Sequence, residues 1–279
     1  MATRDFAQVD VFSSTPFRGN PVAVVLDGSG LDEAQMRLFA QWTNLSETTF
    51  LLPPTVPEAH YRLRIFTPAG ELPFAGHPTL GSAHAWLARS GAAPASGDIV
   101  QECAAGLVTI RRDAGALAFA APPTIRSGPV DEAELERLAV ALGIPRAAII
   151  DHQWVDNGPG WAAVRLETVD EVLALRPDFS SYPTAKVGVF ATYPDGSDQQ
   201  LEVRGFAPVM GIAEDPVTGS LNAGLAQWLI GAGVLPERYR AAQGRAIGRA
   251  GVIEVSRDAS GEVWIGGVCR TLVEGTVEL

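Results

Sequence analysis

The sequence predicts an α+β protein made of two similar halves, each with many antiparallel strands and one buried helix. The chain has 279 residues, which is enough for two domains. Hydrophobic residues make up 47% of it and charged residues 19%, so we expect a large core and no long disordered segment. An internal repeat supports the two halves, because the residues from Ala75 to Ser82 match those from Ala213 to Ser220.

Both copies of the repeat have the pattern of a strand, a loop and the start of a helix. Residues 60–67 alternate between apolar and polar side chains, as a half-buried strand does. Pro78 and Pro216 occupy the same place in the two copies, and proline suits the first position of a helix. We therefore predict central helices from Pro78 to about Arg89 and from Pro216 to about Ile230. A helix N-terminus offers backbone N–H groups and partial positive charge, so each copy is a candidate anion site.

In the first half, a helix is predicted over residues 31–43, with acidic residues in its first turn and an apolar face. Its apolar positions include Leu38, Phe39 and Trp42, and we expect Trp42 in the core. The strands predicted for this half lie at residues 6–12, 21–26, 60–67, 107–111 and 116–120, with a further short strand ending near Leu52.

Residues 121–129 are rich in Pro, Gly and Ser and are the best linker candidate. We therefore place the domains at residues 1–121 and 130–279, and whether the last strand returns to the first domain stays open. Asp131 with Glu134, and Thr168 with Glu171, have the spacing of helix capping boxes. Strands in the second half are predicted at residues 147–151, 162–166, 187–193, 201–206, 251–256, 263–268 and 271–278.

The composition excludes several classes of partner. The formal net charge is −11, which argues against nucleic acid and anionic membrane surfaces, since both require a positively charged surface. A small anionic substrate remains compatible, because it senses local donors rather than the distant net charge. The N-terminus has no apolar signal region and no run of residues is long enough to span a bilayer, so we expect a cytoplasmic protein.

The patterns of several common cofactors and metals are not found in the sequence. There is no Gly-Lys-Ser/Thr phosphate loop and no convincing dinucleotide fingerprint. The four histidines have no zinc-ligand spacing, and the two cysteines, Cys103 and Cys269, lie in no paired motif. We therefore expect no cofactor and no metal.

The candidate chemical residues lie at the two predicted helix starts and before a short strand. Asp215 precedes Pro216 and is better explained as a helix N-cap than as a functional residue, whereas His77 is a poor cap, so a structural and a functional role are equally open there. Gly76 and Gly219 either allow tight turns or bring backbone N–H groups close to a ligand. Ser220 either bonds within its helix or donates to a carboxylate. Glu47 by itself has the pattern of a solvated turn residue.

Taken together, these segments resemble the PhzF-like (phenazine biosynthesis) family of isomerases, and they follow the family order along nearly the whole chain. The matching segments are Asp10-Val-Phe-Ser…Pro16-Phe-Arg-Gly-Asn-Pro, Asn44-Leu-Ser-Glu-Thr-Thr-Phe, Glu71-Leu-Pro-Phe-Ala-Gly-His-Pro-Thr-Leu-Gly-Ser, Asp215-Pro-Val-Thr-Gly-Ser and Gln243-Gly…Gly248-Arg.

The resemblance implies a diaminopimelate-epimerase-like fold of two pseudo-symmetric α/β barrel-like domains. Each domain would be a curved, mostly antiparallel sheet around a central helix, with the active site in the cleft between the domains. It also implies a cofactor-free proton shift and, commonly, a homodimer.

By motif position, Glu47 matches the acid/base residue of the family. His77, Asp215, Gly76 and Ser220 match residues that surround the substrate. We add two neighbours, Ser46 and Gly219, to the candidate substrate-binding residues.

The related epimerases and proline racemases carry a cysteine at each of two helix starts. Here those loops carry Gly76-His77 and Glu214-Asp215 instead, which disfavours a two-thiol racemase. Two hypotheses follow. The first is an isomerase that moves a proton on a small carboxylic acid, with Glu47 as its base. The second is a non-catalytic binder of small carboxylates on the same fold, which would not need Glu47.

Overall fold

The computed structural model describes residues 2–90, 97–113, 115–210 and 212–279. The chain divides into two units, the first made of Met1–Ala120 and Gly266–Leu279 and the second of Ala121–Ile265. Within the described residues, no helix has both the length and the apolar character needed to cross a lipid bilayer.

Strands provide most of the regular structure, which confirms the predicted α+β class. They are β1 (Thr3–Val11), β2 (Asn20–Val25), β3 (Glu47–Leu52), β4 (Tyr61–Phe66), β5 (Glu71–Leu72), β6 (Ile99–Cys103), β7 (Gly106–Asp113), β8 (Ala116–Ala120), β9 (Asp151–Trp154), β10 (Ala162–Arg165), β11 (Val187–Thr192), β12 (Leu201–Ala207), β13 (Ile212–Asp215), β14 (Arg238–Gln243), β15 (Gly251–Arg257), β16 (Val263–Gly267) and β17 (Cys269–Glu278). The α-helices are α1 (Glu33–Thr43), α2 (Gly76–Ser90), α3 (Glu132–Leu142), α4 (Val169–Ala174) and α5 (Gly219–Gly231).

The two units repeat the same order of strand pairing. In the first, β1–β2 is antiparallel, β2–β3 parallel, β3–β4 and β4–β5 antiparallel, β4–β6 parallel and β6–β7 antiparallel. In the second, the pairs β9–β10, β10–β11, β11–β12, β12–β13, β12–β14 and β14–β15 follow in the same order and sense. The helices α2 and α5 stand at equivalent places, after β5 and β13. The internal repeat of the sequence is therefore a repeat of topology.

In the first unit, α2 packs on the sheet at close range. It contacts β1, β2, β3, β4, β6, β8 and β17. Gly81 permits the close approach, because a Cβ atom there would lie 2.3 Å from Cγ1 of Val22. The last strand, β17, also belongs to this unit and pairs antiparallel with β1, with Thr3 opposite Glu278.

In the second unit, α5 is mostly apolar and largely buried, with Asn222 as a polar residue within its buried run. Its buried residues include the continuous run from Leu221 to Ala226, so no face of the helix is directed to solvent there. Gly224 again allows a close approach, since a Cβ atom there would lie 2.4 Å from the carbonyl oxygen of Val155. A separate apolar cluster packs α3 and α4 against β10 and β11.

The starts of both central helices, the N-cap of α5 and the burial of Trp42 were predicted wrongly. The helix α2 begins at Gly76, two residues before Pro78, and α5 begins at Gly219, three residues after Pro216. The N-cap residue of α5 is Thr218, not Asp215. Trp42 is 78% exposed rather than in the core, although its ring stacks on Phe39.

Candidate active site

In the first unit, the fold brings Glu47 and His77 together from different elements. Glu47 is the first residue of β3 and pairs with Val22 of β2. Side chains alternate along a strand, so Glu47 shares a face with Thr49, whose hydroxyl lies 2.8 Å from the hydroxyl of Ser82 in α2. The same face therefore meets the start of α2, where Nε2 of His77 lies 3.4 Å from Oε2 of Glu47.

Both side chains of this pair are almost fully buried, with 5% of His77 and 8% of Glu47 exposed. Burial disfavours the imidazolium ion and lowers the pKa of His77 to about 3, although a hydrogen bond to the backbone of Pro21 opposes the shift. Near neutral pH the imidazole is therefore uncharged, with one nitrogen that donates and one that accepts. A neutral imidazole beside a carboxyl group is able to donate or to accept a hydrogen bond, according to its tautomer.

A third residue, Asn20, follows the tight loop between β1 and β2 and contacts His77. Its fully buried amide nitrogen lies 3.4 Å from Nδ1 of His77. The loop is fixed by Asp10, whose carboxylate accepts the backbone N–H groups of Arg18 and Gly19 at 3.1 Å each. Gly19 is required there, because a Cβ atom would lie 2.2 Å from the carbonyl oxygen of Val11. The segment Asp10-Val-Phe-Ser…Pro16-Phe-Arg-Gly-Asn-Pro thus forms the loop that holds Asn20 beside His77, a contact that the spacing of the sequence does not indicate.

We predict that His77 makes the stability of the protein depend on pH. The unfolded chain takes up a proton on this histidine as the pH falls through 6.5, whereas the folded protein does so only near a pKa of about 3. The contribution of neutral His77 to the free energy of unfolding is complete above pH 6.5 and is lost progressively as the pH falls below this value. At pH 5 the loss is about 2 kcal/mol, at 1.36 kcal/mol for each pKa unit.

Urea unfolding of the wild type and of His77→Gln at pH 7.5 and pH 5 measures this effect. The variant has no imidazole to protonate, so its free energy of unfolding should fall by about 2 kcal/mol less than that of the wild type. An equal fall in both proteins would show that His77 is not held neutral by the fold.

In the second unit, Asp215 and Glu214 are neighbours with different environments. Asp215 ends β13 opposite Gly205, and its Oδ2 accepts a hydrogen bond of 2.7 Å from the hydroxyl of Thr218. Glu214 instead forms a buried ion pair with Arg204 at 2.7 Å, with only 4% of the Arg204 side chain exposed. Asp215 is therefore the acidic residue that contacts the start of α5. It makes this contact through the hydroxyl of Thr218 and is not itself the N-cap residue.

The first residues of α5 are Gly219, which is buried, and Ser220, which is partly buried. The hydroxyl oxygen of Ser220 accepts a hydrogen bond of 2.9 Å from the indole N–H of Trp161. A hydroxyl that accepts in this way retains its own proton as a donor, and Trp161 limits the directions in which that proton points. The sequence carried no signal for this role of Trp161.

The predicted site residues thus fall into two groups, each within one unit. Glu47 and His77 are in contact in the first unit, with Gly76 beginning α2 and Ser46, which is half-buried, directly preceding β3. The other group lies around the start of α5 and consists of Asp215, Gly219 and Ser220. Across the part of the chain that the structure describes, no three His, Cys, Asp or Glu side chains are grouped so as to hold a metal ion.

The chain is similar to known proteins over nearly its whole length. The sequence model of the family described as phenazine biosynthesis-like protein matches residues 9–275. Antisense-enhancing sequence 1 of Schizosaccharomyces pombe is 36% identical, over 99% of this chain and 99% of the relative. Trans-2,3-dihydro-3-hydroxyanthranilate isomerase of Pseudomonas aeruginosa is 34% identical, over 92% of this chain and 91% of that enzyme.

A solved structure matches the fold as a whole. The PhzF family phenazine biosynthesis protein of Enterococcus faecalis aligns with a TM-score of 0.83 at 26% identity, covering 100% of both chains. The family resemblance and the fold class predicted from the sequence are thereby confirmed. The chain belongs to the phenazine biosynthesis-like protein family, and it is an isomerase of that family.

Proposed function

We propose that this isomerase moves a proton on a small carboxylic acid without a cofactor, and that Glu47 is the group that carries the proton. The observation that supports this most directly is the buried contact of 3.4 Å between Glu47 and His77. A carbon acid is weak, so its base must be held close to the C–H bond and protected from water. The start of β3 and the first turn of α2 provide such a place.

The proposed reaction is a transfer in two steps. The Glu47 carboxylate removes a proton from carbon and becomes a carboxylic acid, while the electron pair of the broken C–H bond is delocalised into the adjacent unsaturated or carboxylate system. Glu47 then returns a proton to another carbon, or to the same carbon, and a new C–H bond forms. Nothing is oxidised or reduced overall. The neutral imidazole of His77 places its Nε2 3.4 Å from Oε2 of Glu47, where it adds no second charge beside the carboxyl group.

Asp215 and Ser220 are proposed as further residues of the reaction. Ser220 retains a hydroxyl proton while it accepts the indole N–H of Trp161 at 2.9 Å, which suits it to bind a substrate carboxylate. The backbone N–H groups at the start of α5 would add to this, and a helix N-terminus stabilises an anion by about 0.3–1 kcal/mol at the surface. Asp215 is proposed to orient the substrate or to hold a second proton.

The substrate class proposed is an unsaturated, cyclic amino or hydroxy acid. It rests on the name of the relative from Pseudomonas aeruginosa, trans-2,3-dihydro-3-hydroxyanthranilate isomerase, at 34% identity. In such an acid the double bonds delocalise the charge left when a proton is removed. A shift along the conjugated system is therefore favoured over inversion at a single carbon.

A deuterium experiment tests the reaction and the substrate class together. The protein is incubated in deuterated water with trans-2,3-dihydro-3-hydroxyanthranilate and with a panel of related unsaturated amino and hydroxy acids, and products are followed by NMR. A conjugated shift places hydrogen or deuterium on a new carbon, whereas epimerisation exchanges it at the original carbon. If no acid of the panel is isomerised or exchanged, or if activity requires an added metal or nucleotide, the proposal is wrong.

A further inference from the structure

The segment Gln243-Gly…Gly248-Arg is one of those that resemble the family, but it contributes no residue to the proposed reaction. Gln243 is the last residue of β14 and is completely buried. It pairs with Val203 of β12 on one side and with Gly251 of β15 on the other. A glutamine with no access to solvent must find all its hydrogen-bonding partners within the protein.

The side-chain amide of Gln243 makes every hydrogen bond that an amide is able to make. Its oxygen accepts the backbone N–H of Thr218 at 3.0 Å and the side-chain amide N–H of Asn222 at 2.9 Å. Its nitrogen donates to the backbone carbonyl of Asp215 at 3.1 Å and to the hydroxyl oxygen of Thr218 at 2.9 Å. Two acceptor and two donor positions are thus filled, and only an amide provides both.

These contacts set the direction of the Thr218 hydroxyl. Thr218 is the N-cap residue of α5, yet its hydroxyl makes no capping hydrogen bond to the helix. Because the hydroxyl oxygen accepts the N–H of Gln243, its own proton is directed elsewhere, and Oδ2 of Asp215 receives it at 2.7 Å. The result is a directed chain of hydrogen bonds from Gln243 through Thr218 to the carboxylate of Asp215.

The surrounding backbone packs closely around this chain of hydrogen bonds. A Cβ atom at Gly205, which pairs with Asp215, would lie 2.8 Å from the hydroxyl of Thr218 and 3.3 Å from the amide nitrogen of Gln243. A Cβ atom at Gly251 would lie 2.3 Å from Val217. Two glycines, one in each of the strands β12 and β15 that flank β14, therefore accommodate the amide and the helix start that it holds.

We propose that Gln243 is a positioning residue that fixes the backbone of Asp215 directly and its carboxylate through Thr218. The inference rests on the proposed part of Asp215 in the reaction. Gln243 is completely buried and its amide is fully bonded within the protein, so it acts by holding Asp215 in one direction before the substrate binds. Displacing a reacting group by about 1 Å lowers the rate by roughly 100-fold, so a loosened Asp215 should reduce kcat.

The test uses Thr218→Val, which keeps the shape of the side chain but removes the hydroxyl, and Gln243→Met, which removes all four hydrogen bonds. With trans-2,3-dihydro-3-hydroxyanthranilate as the probe, each should lower kcat by roughly 10- to 100-fold while KM changes much less. Thr218→Val made in an Asp215→Asn background should cause almost no further loss, because its effect passes through Asp215.

Gln101→Met is the matched control for the loss of a buried amide. Gln101 is also completely buried, lies in β6, which corresponds to β14 in pairing order, and donates to the hydroxyl of Thr79 at 3.0 Å. It should lower the melting temperature but leave kcat near that of the wild type.

The outcomes separate this inference from the proposed function. If Asp215→Asn lowers kcat while Thr218→Val and Gln243→Met do no more than Gln101→Met, Asp215 keeps its part and the positioning role of Gln243 is wrong. If Asp215→Asn leaves kcat unchanged, the proposed part of Asp215 is wrong and the inference about Gln243 falls with it.

Discussion

Replacing Glu47 with glutamine should lower the turnover of the isomerase by roughly 10²–10⁴-fold, which is typical of removing a general base. The amide keeps the size of the side chain and its capacity for hydrogen bonds, but it is unable to accept a proton from carbon. Binding of the substrate carboxylate should survive. The melting temperature should change little, because a neutral amide removes the cost of burying a carboxylate at a site where only 8% of the side chain is exposed.

Glu102→Gln provides the control for this substitution. Glu102 lies in the same unit, on β6, and accepts hydrogen bonds from Thr55 away from His77. Turnover of this variant, followed by NMR with the same substrate, should match the wild type. If Glu47→Gln turns over at a rate close to that of the wild type, then Glu47 is not the base and Asp215 becomes the leading candidate.

Elements with a strong local signal were predicted well from the sequence. The capping box of Thr168 and Glu171 is present as predicted, with both reciprocal hydrogen bonds. At Asp131 only half of the predicted box forms, because the side chain of Glu134 bonds to Tyr182 rather than back to the cap. Local spacing thus identifies a helix start, but a competing tertiary partner decides how the cap is completed.

The starts of the two central helices depend on tertiary contacts, and here the sequence was misleading. Proline is compatible with several positions near a helix start, so Pro78 and Pro216 did not fix the boundary. At α5 the boundary lies at Gly219 because Gln243 holds the N-cap residue Thr218. No local pattern around Pro216 indicates a partner that lies in β14, a later strand of the sheet.

The candidate site also depends on tertiary contacts that the sequence does not indicate. The resemblance identified Glu47 and His77 as important, but their separation of 3.4 Å follows from the parallel pairing of β2 with β3 and from the close approach of α2 at Gly81. The low pKa of His77, about 3, follows from burial, which a sequence position does not report. The resemblance therefore indicated the candidate residues, and the fold supplied the distances and the electrostatics.

Replacing Arg204 with methionine should destabilise the protein by about 3–5 kcal/mol, the usual cost of removing one partner of a buried ion pair. Arg204 holds Glu214 through two hydrogen bonds, of 3.0 and 2.7 Å. Its Nη1 also donates to the carbonyl oxygens of Val172 and Leu175, each at 3.0 Å. Methionine fills much of the space but leaves a carboxylate and two carbonyl groups without this donor.

Arg240→Met is the matched control, because Arg240 pairs with Glu254 at 3.5 Å where 57% and 44% of the two side chains are exposed. An exposed pair contributes about 0–1 kcal/mol, so this variant should unfold at nearly the same urea concentration as the wild type. The double variant Arg204→Met with Glu214→Leu should regain part of the loss, since no unpaired carboxylate remains buried. Equal effects of Arg204→Met and Arg240→Met on the free energy of unfolding would mean that the pair is hydrated. Glu214 would then give the segment leading to Asp215 no rigid support.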